Sequence, residues 1–178
     1  MVPDDVGELL GAAVGGSDGD TAYIPVQGFI TREYLSGRVA ELVKKLHTDG
    51  KTACFISLKE QLDLIPIAEE DSAFDAALMA YLLNPLKDAY AYDNIARDFL
   101  GRLVRSRTDI MGKESYAVSG KTYICACYNA YVAARAYDIL RQKLVETDMY
   151  TLYETIEQPL VYALKEMENN GILVDRKA

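Results

Sequence analysis

The sequence predicts an α/β domain with a helical C-terminal half, and three features predict it. Short apolar runs separated by turn residues open the chain, helix and strand patterns then alternate, and from residue 122 onward the apolar stripes have helical spacing alone. The third feature is the run at residues 72–85, SAFDAALMAYLLNP. Between Phe74 and Leu83 only Asp75 is neither apolar nor aromatic, so a helix there must be buried on nearly every side.

Residues 7–14 (GELLGAAV) and 21–26 (TAYIPV) flank the cluster GGSDGD, and two apolar runs around a Gly/Asp turn read as a β-hairpin. Thr31 caps a helix running to about Thr48, with Leu35, Val39, Leu42, Val43 and Leu46 at helical spacing before the Asp49-Gly50 turn. Residues 52–56 (TACFI) form a short strand expected to share one sheet with the hairpin. Ser57-Leu58-Lys59-Glu60 has the capping-box pattern, so a second helix is expected from Ser57 to about Ile65. The acids Glu69, Glu70 and Asp71 read as a solvated loop.

The central apolar helix stops at Asn84-Pro85, because proline cannot extend it. Asp93 opens a short helix ending at Leu100-Gly101, and residues 102–121 read as a loop with one helical turn. A long helix covers residues 122–146, striped by Ile124, Tyr128, Val132, Ala136, Ile139, Leu140 and Leu144. The last helix starts near Met149 and ends at Asn169-Asn170-Gly171, with Pro159 expected to kink it. Its stripe is expected to bury Met149, Leu152, Tyr153, Ile156, Leu160, Ala163, Leu164 and Met167, part of it against something outside the chain. Val174-Asp175 begins a further segment.

The 178 residues, half of them apolar, can bury one substantial core. With 27 acidic against 19 basic residues the net charge is -8, which argues against strong DNA binding by the chain alone. Cys54, Cys125 and Cys127, with the single His47, cannot make an ordinary structural zinc site and read as reduced thiols of a cytoplasmic protein. Neither an export leader nor an apolar run of membrane-spanning length is present, so no membrane partner is expected.

The run FDAALMAYLLNP, together with residues 156–175 (IEQPLVYALKEMENNGILVD), resembles the 3′-to-5′ proofreading exonuclease domain of bacterial family A DNA polymerases. Members carry an FDT-x-L-x-x-YLLNP helix and an IE-x-PL…ME-x-x-GI-x-VD helix leading into the polymerase. The resemblance implies a ribonuclease H-like fold with a small mixed sheet, an exonuclease-like domain over residues 1–147, and a helix over 148–178 leading into a polymerase domain of the same parent chain. It also implies that the hairpin matches the second and third strands of the sheet, with the first strand preceding them.

Such a domain removes 3′ nucleotides with two divalent metals held by converging carboxylates. The family supplies these from Asp-x-Glu on the first strand, from the Asp of N-L-K-Y-D, and from the Asp of Y-x-x-x-D, whose Tyr orients the water. Asp-x-Glu does not occur in the first 60 residues. N-L-K-Y-D falls on residues 57–61, placing Gln61 at the Asp position, with Glu60 one register away. Y-x-x-x-D falls on residues 128–132, where Tyr128 is kept and Val132 replaces the ligand. The resemblance therefore implies a vestigial exonuclease without metal or other cofactor, acting as scaffold in a DNA polymerase I that reaches DNA, and uses Mg²⁺, through its polymerase domain. The alternative is a live exonuclease whose first-strand acids lie upstream and whose other ligands are Glu60 or Asp63. A weaker third reading is a stand-alone interaction domain. Asp75 reads as a helix cap rather than a ligand. His47 reads as a cation at a helix end. The thirteen tyrosines read mainly as core residues, with stacking on unpaired bases as the lesser use.

Overall fold

The computed structural model describes residues 1–171, so Val174-Asp175 lies outside the described residues. A two-residue strand β1 (Val2–Pro3) lies antiparallel to β2 (Leu9–Gly15), with Val2 opposite Gly11 and Pro3 opposite Leu9. After the Gly/Asp turn, β3 (Thr21–Pro25) returns along the other edge of β2, in register from Gly11↔Pro25 to Gly15↔Thr21. Helix α1 (Arg32–Thr48) starts as its cap predicts, the Thr31 hydroxyl accepting from the Tyr34 N–H at 3.2 Å. Lys45 and His47 stand in its last turn, where the helix dipole favours cations.

The expectation of one sheet is corrected. Strand β4 (Ala53–Phe55) pairs in parallel with β5 (Ala73–Asp75), and these two form a second sheet separate from the hairpin. Parallel pairing needs a crossover, and here it runs through α2 (Leu58–Gln61) and a 3-10 turn at Glu69–Asp71. The crossover departs from expectation twice. The capping box at Ser57 does not form, because Ser57 is left-handed at φ 59° and its side chain makes no cap, so α2 is a single turn. The acidic stretch is not wholly solvated either, since Asp71 is buried and accepts the Ala68 N–H at 2.8 Å.

Strand β5 takes Phe74 and Asp75 out of the expected central helix, which runs as α3 (Ala76–Leu83). Ala76, Met79 and Ala80 are buried, while Tyr81 is 44% exposed, so one side of this apolar helix faces outward. Helices α4 (Tyr92–Phe99) and α5 (Arg107–Met111) follow. The latter has the capping box the sequence reading missed, the Ser106 hydroxyl accepting from Asp109 N–H and Asp109 returning to Ser106 N–H at 3.0 Å.

The long helix α6 (Gly120–Glu146) is the spine of the molecule. Its Val132, Ala133, Ala136, Leu140 and Leu144 pack with Met79 and Ala80 of α3, Ile95 and Ala96 of α4, and Tyr153. Burying one such large apolar side chain contributes about 1.5–3 kcal/mol. The helical end is built from α7 (Tyr150–Leu152), a π turn at Tyr153–Glu157, and α8 (Gln158–Asn170). The segment stays helical from Tyr150 to Asn170, and the irregularity expected at Pro159 takes the form of a π turn just before it. The π turn at Tyr153–Glu157 accommodates the backbone donor that Pro159 lacks.

The face buried by this last segment also differs from the expected stripe. Tyr153, Gln158 and Val161 turn inward, whereas Leu160 and Leu164 are 41% exposed and Met167 65%. Leu160, Leu164 and Met167 thus form an exposed apolar stripe on the last helix.

Candidate functional site

Between the hairpin sheet and the β4–β5 sheet runs a trough of about 880 Å³. Strand β2 forms one side through Ala12–Gly15, and β4 forms the other through Ala53, Cys54 and Phe55. Helix α1 lines it with Val39, Leu42, Val43 and Leu46. Helix α6 lines it with small side chains, Ala126, Ala130, Ala133 and Ala134. Strand β2 comes so near α6 that a Cβ on Gly15 would lie 2.9 Å from the Ala130 carbonyl oxygen. Burial pushes the Cys54 thiol well above the ordinary cysteine range.

The lining of the trough is partly polar. Glu60 and Gln61 of α2 and Asn129 and Asp138 of α6 are among its polar lining, and the Met1 amine donates to Gln61 Oε1 at 2.8 Å. Burial lowers that amine to about 6. Of the residues singled out from the sequence, the fold thus brings Glu60 and Gln61 to the trough and leaves two elsewhere. Tyr128 stacks on Tyr92 at 6.0 Å between ring centres and 10° between planes. Val132 is 0% exposed in the main core. Among the polar α6 residues that reach the trough is Asn129, three positions before Val132, and the sequence reading passed over it. Its signal was a polar residue interrupting the alanines of one helix face.

A buried carboxylate, Asp75, lies behind the wall of the trough, in a structural role. Asp75 caps α3, Oδ1 accepting from Ala77 N–H at 2.8 Å and from Leu78 N–H at 3.3 Å. The same side chain accepts Ser57 N–H at 3.1 Å and Leu58 N–H at 2.7 Å, so it also caps α2 from 17 residues away. Burial pushes its carboxyl up, against the pull of these amide hydrogen bonds. Its own N–H donates to Tyr153 Oη at 2.9 Å, Tyr153 donates to Gln158 Oε1 at 2.6 Å, and Gln158 Nε2 donates to the Ala73 carbonyl at 2.7 Å. Each of the four hydrogen bonds this carboxylate accepts comes from a backbone N–H.

Among the described residues no group of three His, Cys, Asp or Glu side chains is placed to hold a metal ion. Asp63 is engaged on the surface with Lys165 at 2.5 Å. The tyrosines mostly meet one another: Tyr23 stacks on Tyr123 at 4.3 Å, and burial raises Tyr23 to about 12. A hollow of about 710 Å³ beside them is walled by Leu103, Ile124, Tyr128 and Tyr131 with Arg102 at its edge. No helix of the described residues is long and apolar enough to cross a membrane.

No family model matches the chain. It is 33% identical over 157 residues to DNA polymerase I of Bacillus subtilis, a match covering 85% of this chain and 17% of that protein. The chain is similar to a segment of DNA polymerase I. The Pseudomonas aeruginosa DNA polymerase I is 25% identical over 185 residues, covering 94% of this chain and 20% of that protein. A solved structure described as the POL domain of Pol1 from M. smegmatis, in complex with DNA primer-template and dNTP, matches with a TM-score of 0.64 and 26% identity. That match covers 92% of this chain and 26% of the solved one. The chain thus spans about a fifth or less of the two DNA polymerase I relatives.

Proposed function

We propose that the chain is the exonuclease-like module of a DNA polymerase I and serves as a scaffold for template-directed DNA synthesis, without cleaving DNA itself. In this reading residues 1–147 form a ribonuclease H-like domain and residues 148–178 lead into the polymerase domain. The supporting observation is that a chain similar to DNA polymerase I over most of its length carries an amide at Gln61 and a core side chain at Val132. A two-metal centre needs several carboxylates to replace the water stripped from two divalent ions. The residues here do not fit one, since Glu60 and Asp138 are the acids among the lining of the trough and no three such side chains converge among the described residues. No step is therefore routed through a metal in this module, and Mg²⁺ serves the polymerase domain of the parent.

The partner of the module is that polymerase domain. Ile156, Leu160, Leu164 and Met167 recur along the exposed side of the last helical segment, an apolar face suited to an intramolecular interface. DNA is held by the parent, in keeping with the net charge of -8, and the setting is cytoplasmic.

The test is a 3′-degradation assay on the full-length parent with a labelled single-stranded oligonucleotide and Mg²⁺ or Mn²⁺. The expected outcome is primer extension when template and dNTPs are added, and no metal-dependent shortening without them. Release of 3′ nucleotides would establish the live exonuclease reading, with acids supplied from an upstream strand.

A further inference from the structure

We propose that the hollow beside the first turns of α6 is a binding site for a small aromatic carboxylate, a flat apolar body carrying one anionic group. The hollow measures about 710 Å³, within the range of cavities that take such molecules. Its walls are fixed before any ligand arrives. Tyr123 is held by its stack on Tyr23, ring centres 4.3 Å apart, and Tyr128 by its stack on Tyr92. Tyr131 lies against the hairpin turn, where a Cβ on Gly19 would stand 3.5 Å from Tyr131 Cε2. The remaining wall is the strap of Leu103 and Val104 that follows α4. Gly101 turns the chain into it at φ 62°, and the Arg102 N–H donates to the Ala96 carbonyl at 3.0 Å. At its other end Tyr92 Oη donates to the Arg105 carbonyl at 2.8 Å. Hydrogen bonds therefore pin the strap on both sides, and a site already ordered loses little freedom on binding.

The lining sets the chemistry of the occupant. Leu103 is 89% exposed and Ile124 41%, and large apolar side chains left open around a hollow mark a place that receives an apolar body. Aromatic walls pair well with another flat ring, offset or edge-on. Among the described residues Arg102 is the one charged group in this lining, and no carboxylate there pairs with it. A guanidinium takes a carboxylate through two parallel N–H bonds. The anion therefore belongs at the Arg102 rim, and the ring between the tyrosines and Ile124. One cation matches one negative charge, which disfavours a nucleotide with its doubly charged phosphate and polar base. The hollow is separate from the trough, because α6 gives Ala126, Ala130 and Ala133 to the trough and Tyr123, Cys127 and Tyr131 to the hollow. The assignment is independent of the polymerase reading.

The experiment follows backbone amide shifts of this chain on titration with phenylbutyrate, and separately with phenylbutylamine, butyrate and deoxyadenosine monophosphate. Phenylbutyrate is expected to bind with a dissociation constant below about 1 mM, shifting amides of the 102–104 strap and of the first turns of α6. Each of the other three is expected to bind at least about tenfold more weakly, lacking the charge, the ring or the fit. Arg102→Gln should weaken phenylbutyrate about tenfold and leave phenylbutylamine unchanged. Leu103→Gln and Ile124→Gln, at exposed positions, should each weaken phenylbutyrate while leaving the thermal midpoint of the chain in place. Equal binding of the amine, tighter binding of the nucleotide, shifts centred on the trough, or no shift up to about 10 mM phenylbutyrate overturns the proposal.

Discussion

At the scale of single residues, Asp75 carries more structure than any other side chain of the candidate site. It caps two helices from one position. Removing an N-cap costs about 1 kcal/mol, and a buried amide left without a partner costs about 1–3. Asp75→Ala is therefore expected to destabilise the chain by about 3 kcal/mol or more, read as a lower denaturant midpoint with an unchanged slope. Tyr153→Phe removes the hydroxyl that accepts from Asp75 N–H and donates to Gln158, leaving both buried. It should cost about 2 kcal/mol by the same measurement. If Tyr153→Phe is neutral, the hydroxyl bridge between β5 and the π turn does not hold the C-terminal segment in place.

At the scale of elements, the approach of β2 to α6 depends on Gly15 having no side chain. The added methyl of Gly15→Ala would press on the Ala130 backbone, which cannot move alone inside a 27-residue helix. Overpacking of this kind costs about 1–3 kcal/mol, so the variant is expected to unfold at a correspondingly lower temperature. The last helix gives the opposite expectation. Leu160→Lys with Leu164→Lys, both at exposed positions, should change the stability of the isolated chain by about 0.5 kcal/mol or less. In the full-length parent the same pair should loosen the module, seen as faster proteolysis at the junction near residue 148. Equal proteolysis of parent and variant would show that the stripe docks nothing there.

At the scale of the whole molecule, surface carboxylates set the acid limb of stability. Lys87 holds Asp98 below the ordinary range, Ser106 does so for Asp109, and the backbone does so for Glu33. A carboxyl whose folded pKa is depressed contributes stability above its unfolded value, near pH 4, and loses it as pH falls through the folded value. Buried Asp75 has the opposite sign, since a raised folded pKa favours the folded state as pH falls. Stability is expected to drop below about pH 4, and Asp98→Asn should make that drop shallower. A profile unchanged by Asp98→Asn would mean that the Lys87 pair adds nothing in solution.

What the sequence determined by itself was mostly local. The Gly/Asp turn specified the hairpin, Thr31 the start of α1, Gly101 and Gly171 helix ends, and the period from residue 122 the long helix, because each depends on neighbours a few positions away. The likeness to DNA polymerase I was also legible there, in two stretches of side chains. Only the tertiary structure decided that β4 pairs with β5, that Asp75 rather than Ser57 caps α2, and that Asn129 rather than Val132 faces the trough. Strand pairing is made between distant segments, and two apolar runs of equal quality do not say which edge will receive them. The capping of α2 shows the same limit: Ser57 has the right type and spacing, yet its left-handed backbone aims the hydroxyl away, and a carboxylate 18 residues on takes the amides. Which side of a helix reaches a site is likewise set by what packs on its other side, and in α6 the core claimed Val132 first.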